Sequence, residues 1–192
     1  MRTKIKIHLF NKALRILLTT NGLILVAAAM LGPIYALFVE QIGGNLLDAS
    51  LTGGMFALAA GVTTLLSGKY ADRIQRDELI VVVGYTLIGI GFLFYTAVES
   101  ILPLLLVQVL IGFGEAVYSP AFDALYSSHL SEHKVGREWG AWESMNYFTA
   151  AGGAIFGGLI AANFGFDALF VIMALICFGS AAYIYLLPHR AL

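Results

Sequence analysis

The sequence predicts an all-α membrane protein, a single six-transmembrane-helix bundle over residues 1–192 with both termini cytoplasmic. Three observations carry that reading. The chain is 59 % hydrophobic and only 12 % charged. Six apolar segments each approach the roughly 20 residues needed to cross about 30 Å of hydrocarbon. Every base falls in alternate polar breaks: Arg2 to Arg15, then Lys69, Arg73 and Arg76, then Lys134 and Arg137, and last Arg190. The intervening breaks, at Glu40–Ser50, Glu99–Ser100 and Asn163–Asp167, carry acids and no bases. Cytoplasmic loops hold the excess of Lys and Arg, so the alternation orients the whole chain and makes the number of spans even.

The first span is expected at about 16–39, interrupted by Thr19, Thr20, Asn21 and Pro33. Its apolar run has no small-residue cleavage site, which favours a retained span over a signal peptide. The second, 47–67, is rich in Gly, Ala and Thr. The third and fourth follow at 79–98 and 101–125, with a very short break between them that makes them antiparallel neighbours. The fifth, 138–162, contains the G-x-x-x-G pair Gly153 and Gly157, and the sixth covers 166–187. Helices are required at these lengths, because each segment must satisfy its own backbone polar groups in lipid. Spanning strands would be about 9–11 residues long and alternating, and nothing here alternates. The glycines, including Gly84, Gly89 and Gly91, mark close helix–helix contact.

Composition narrows the function classes. A net charge of −1 with bases scattered over several breaks gives no stripe for nucleic acid. The single cysteine, Cys177, lies in an apolar run and reads as a small buried hydrophobe. His129 and His133 stand at i, i+4 with no further ligands, so no metal or other cofactor is expected. All four histidines lie outside the spans, which argues against an intramembrane serine protease and against an enzyme generally. Trp139 and Trp142 are expected in an interfacial belt.

Between the second and third spans the chain reads Gly68-Lys-Tyr-Ala-Asp72-Arg73-Ile-Gln75-Arg76-Asp77. This resembles the signature loop of the major facilitator superfamily, G-x-x-x-D-R/K-x-G-R-R/K, in the loop where that family carries it. Gly68, Asp72, Arg73 and Arg76 match, while Gln75 and Asp77 replace a glycine and a base. The fourth span, with Gln108, Gly112 and Gly114, is similar to the family's R-x-x-x-G-x-G. Gln108 stands at the arginine position, so that arginine's proton-transfer role does not carry over. Gly153, Gly157 and Gly158 are similar to the G-P-x-x-G-G of drug antiporters, but Ala154 stands in place of the proline, so the antiporter label does not carry over. The resemblance covers one six-helix half of a fold that normally has two.

The resemblance implies a membrane transporter working by alternating access, with Gly68, Asp72, Arg73, Arg76 and Asp123 as a conformational latch. It also implies a second bundle as partner, either another copy of the chain or a separately encoded half. Ionisable groups inside a span mark function by default, and Glu115 is the leading candidate for a proton or substrate site. Gln108, Glu115 and Asp123 are seven and eight residues apart and share a helix face. Glu143, Asn146 and Tyr147 group on the fifth span, and Asn21 and Tyr35 lie on the first. The expected cargo is a small organic solute, and the expected location is a prokaryotic inner membrane. The rival reading is a truncated remnant, or a membrane subunit that stabilises a partner without transporting.

Overall fold

The computed structural model describes residues 11–71 and 76–187. Its elements are α1 (Lys12–Leu31), a 3-10 turn (Gly32–Ile34), α2 (Tyr35–Gln41), α3 (Leu46–Ala71), α4 (Asp77–Tyr95), α5 (Ile101–Ser128) and α6 (Val135–Tyr185). There is no strand among the described residues. Among the described residues, five helical stretches are long and apolar enough to cross a membrane, with α1 to α2 counting as one. The fold class is therefore all-α and membrane-spanning.

The local reasons are legible. Asn11 caps α1, its Oδ1 accepting from the Leu14 amide at 2.8 Å, while its Nδ2 donates to the His129 carbonyl at 2.8 Å. One side chain thus satisfies an orphan helix donor and ties the start of α1 to the end of α5. Pro33 lacks an amide proton and cannot continue the helical ladder, so α1 gives way to a 3-10 turn before α2. The end of α2 closes on Gly43, at φ 85°, with the Gly44 amide donating to Val39. Asn45 then caps α3 by accepting from the Leu47 and Asp48 amides, and Asp48 accepts back from the Asn45 amide. This is a reciprocal capping box.

The element α6 is 51 residues long, about 76 Å of helix, more than twice a hydrocarbon core. Gly165 interrupts it with φ 81° and ψ 173°, a backbone conformation that residues with a Cβ rarely adopt. The break separates helical stretches 135–164 and 166–185, which overlay the fifth and sixth expected segments. Elsewhere most helices extend beyond the expected bounds, as where α5 runs through Pro120 to Ser128, but α4 ends at Tyr95, short of the expected 98.

Packing rests on backbone-to-backbone approach. A Cβ at Gly84 would meet the Gly114 carbonyl oxygen at 2.8 Å, and one at Gly114 would meet the Gly84 carbonyl oxygen at 3.2 Å, so α4 and α5 touch main chain to main chain. A Cβ at Gly153 would meet Ala29 Cβ at 2.7 Å, and one at Gly157 would overlap the Met30 backbone. Small residues at such contacts let helices gain dispersion and polar contact in lipid, where the hydrophobic effect supplies no association. At the end carrying Gln41–Asn45, Phe38, Tyr95, Phe166 and Phe170 interlock, with centroids 4.8 Å apart for Phe38–Phe170 and 4.9 Å for Tyr95–Phe170. At the other end Tyr126, Trp139 and Trp142 stack edge to face. Both tryptophans are half-buried there among neighbouring rings.

Gly157→Leu should lower the melting temperature or prevent folding, because overpacking against backbone costs about 1–3 kcal/mol or more. Gly158→Leu, with nothing within 4 Å of its Cβ position, should leave the melting temperature in detergent almost unchanged. Equal effects would rule out the proposed α1–α6 contact.

Candidate functional site

One cavity of about 300 Å³ lies among α1, the 3-10 turn, α2, α3, α4, α5 and α6. Most of its wall is apolar, including Ile24, Leu31, Phe56, Phe92, Ile111 and Met173, and four polar side chains border it or its rim. On α5, Gln108, Ile111 and Glu115 are spaced three and four apart and all line it. This is the single face expected of helical i, i+3 and i+7 positions.

The polar groups form a relay. Tyr95 Oη donates to Gln108 Oε1 at 3.1 Å, and Gln108 Nε2 donates to Tyr35 Oη at 2.6 Å. Tyr35 Oη donates in turn to Thr52 Oγ1 at 2.7 Å. Thr52 Oγ1 completes the chain by donating to the Asp48 and Ala49 carbonyls. Four elements (α2, α3, α4 and α5) are thereby joined through one glutamine. Each amide and hydroxyl finds a partner, as burial in an apolar bundle demands. Deeper along α5, Glu115 accepts from Tyr118 Oη at 3.1 Å, a neighbour on its own helix.

The expected site residues divide into groups. Gln108 and Glu115 border the cavity, with Tyr35 beside them. Asp123 lies on α5 but is exposed and away from the cavity. Asn21 is 2 % exposed in the interior and does not border the cavity. Glu143 and Tyr147 are exposed on α6 and Asn146 is half-buried, none of them on the cavity wall. Gly68 lies in the last turns of α3. Asp72 and Arg73 lie outside the described residues. Arg76 is exposed at the start of α4, and among the described residues no ion pair joins it to Asp123.

Sequence reasoning missed Tyr95 and Thr52. A tyrosine at a span end reads as an interfacial anchor, and a threonine in a small-residue helix reads as packing, so only the relay reveals them. It also missed Glu138, 1 % exposed, whose carboxylate accepts from the Ser131 amide at 2.7 Å and from Ser131 Oγ at 2.9 Å. Its backbone carbonyl accepts from Tyr126 Oη at 2.5 Å. An acid at the mouth of a span looks solvated in sequence, but this one locks the α5–α6 connection.

With this geometry in view, comparison with known proteins is decisive. Residues 17–191 match the Major Facilitator Superfamily. The chain belongs to that superfamily. Its relatives include the multidrug resistance protein MdtG of Escherichia coli, in strain K12 / DH10B and in strain SMS-3-5. Each is 30 % identical over 172 residues, covering 87 % of this chain and 42 % of the relative. The chain thus spans less than half the length of these relatives. Membership makes it an integral membrane protein of a transporter family rather than an enzyme.

Gln108→Leu should destabilise the bundle by about 1–3 kcal/mol, the usual cost of leaving buried partners unsatisfied. Tyr35→Phe combined with Gln108→Leu should cost less than the sum of the two single changes, by about 0.6 kcal/mol or more. Strict additivity in a denaturation cycle would show that the two side chains do not interact.

Proposed function

We propose that the chain is a six-span half of a secondary transporter for a small organic solute, with both termini cytoplasmic. The cavity bordered by Tyr35, Gln108 and Glu115 is its share of the transport site. The observation that carries this reading is the combination of an apolar, solute-sized cavity with a few convergent polar groups and an intramembrane carboxylate. Binding sites are commonly built this way, and an ionisable residue within a span is a functional group by default.

The cavity wall comes from one bundle, so a second bundle completes the site. The uneven burial of the helices supports this. Only 11 % of the apolar stretch of α3 is buried, against 39 to 44 % for α1–α2, α4 and α5. Rocking of the two bundles would expose the site to each side in turn, with Gly68, Asp72, Arg73, Arg76 and Asp123 biasing one state. Glu115 is the coupling group, taking up and releasing a proton as its surroundings alternate between wet and dry. The relatives' name points to drug-like organic molecules as cargo.

The test is flux in proteoliposomes under an imposed proton gradient, with the oligomeric mass measured by native mass spectrometry. Glu115→Gln should lower proton-coupled flux at least tenfold, while the exposed Glu143→Gln should change it less than twofold. A chain that stays monomeric and transports nothing would instead support a non-transporting membrane subunit.

A further inference from the structure

A second polar feature lies apart from the transport cavity, where the first turns of α1 meet the last turns of α6. A groove there is lined by Lys12, Arg15, Ile16, Thr19 and Tyr183. Lys12, Arg15 and Thr19 are spaced three and four apart and form one exposed stripe. By helical geometry this stripe is about 150° around α1 from Ile24, Ala28 and Leu31, which face the cavity. The groove therefore opens on the side of α1 away from the transport site. Among the described residues neither cation has an ion-pair partner.

What lies beneath the cations indicates the occupant. Ile16 is buried and forms the floor. One turn deeper than Thr19 on the same stripe, Leu23 is 42 % exposed. On α6, Gly179 and Ile176, four and seven residues before Tyr183 and so on its face of the helix, are exposed and half-buried. Two cations and two hydroxyl groups at the helix ends thus sit over a partly exposed apolar track that descends into the membrane-spanning region. A free anion would use only the upper part. A phospholipid uses both, its phosphate on Lys12, Arg15 and Tyr183 and its acyl chains along Leu23 and Ile176.

We propose that the α1–α6 groove is a binding site for the headgroup of an anionic phospholipid such as phosphatidylglycerol. Basic pockets between transmembrane helices have the right chemistry for such headgroups, and each cation near an anionic surface contributes on the order of 1 kcal/mol. The further bases Arg2, Lys4 and Lys6 precede α1 in sequence and add to the positive charge of this stretch. The proposal is independent of whether the chain transports.

The experiment is native mass spectrometry of the full chain in detergent, titrated with phosphatidylglycerol or phosphatidylethanolamine of matched acyl chains. The wild type should retain phosphatidylglycerol preferentially. Lys12→Gln with Arg15→Gln should weaken that retention about thirtyfold, the effect of two charges. Lys134→Gln with Arg137→Gln, an equal charge change elsewhere, should leave it within threefold. A photoreactive phosphatidylglycerol should label peptides carrying Ile16 or Tyr183, a readout on the wild type that does not depend on any variant folding. Equal retention of the two lipids, equal loss in both double variants, or labelling confined to other helices would overturn the site. Displacement of the lipid by excess inorganic phosphate would overturn the lipid assignment and leave a soluble-anion site.

Discussion

Close approach of helix backbones is the constraint on which the rest of this molecule depends. In lipid no hydrophobic force drives one apolar helix onto another, so association relies on dispersion and interhelical hydrogen bonds. Both fall off steeply with distance. Gly84 against Gly114 brings α4 and α5 together, and Gly153 with Gly157 brings α6 against α1. With α4 and α5 at that separation, Tyr95 reaches Gln108 at 3.1 Å. A larger side chain at either glycine would push the hydroxyl out of range and leave the amide without a partner.

The relay through Gln108 is a local compromise between stability and specificity. Each interhelical hydrogen bond of this kind contributes only about 0.6 kcal/mol, yet losing one partner strands a buried polar group at a cost of about 1–3 kcal/mol. Such a network therefore does little to hold the bundle together and much to exclude other registers of α5 against its neighbours. Fully satisfied polar networks specify a unique arrangement. It also leaves Glu115, one helical turn beyond Ile111 on the same face, at the edge of the cavity, with Tyr118 as its one side-chain hydrogen-bond partner among the described residues.

The two ends of the bundle are built differently. The end with acidic connections is closed by the interlocked rings of Phe38, Tyr95, Phe166 and Phe170 and by short capped turns. The end with basic connections combines its own rings, Tyr126, Trp139 and Trp142, with individual polar locks: Asn11 to the His129 carbonyl, Glu138 to Ser131, and Tyr126 to the Glu138 carbonyl.

Composition and charge alternation alone determined that this chain is a helical membrane protein, because the bilayer leaves a long apolar segment few other options. The family was legible too, since Gly68, Asp72, Arg73 and Arg76 carry their signal in spacing. The face pairing Gln108 with Glu115 also followed from helical periodicity, as did Gly153 and Gly157 as contact points. The tertiary structure alone decided which of the span's polar groups share a space. Asn21 is as polar as Gln108 and nearly as central in its helix, yet it is buried away from the cavity, and Asp123 keeps the period but is exposed where α5 nears its end. Tyr95, Thr52 and Glu138 gave no usable signal, because their roles depend on atoms 7 to 17 residues away that reach them only once the helices are packed.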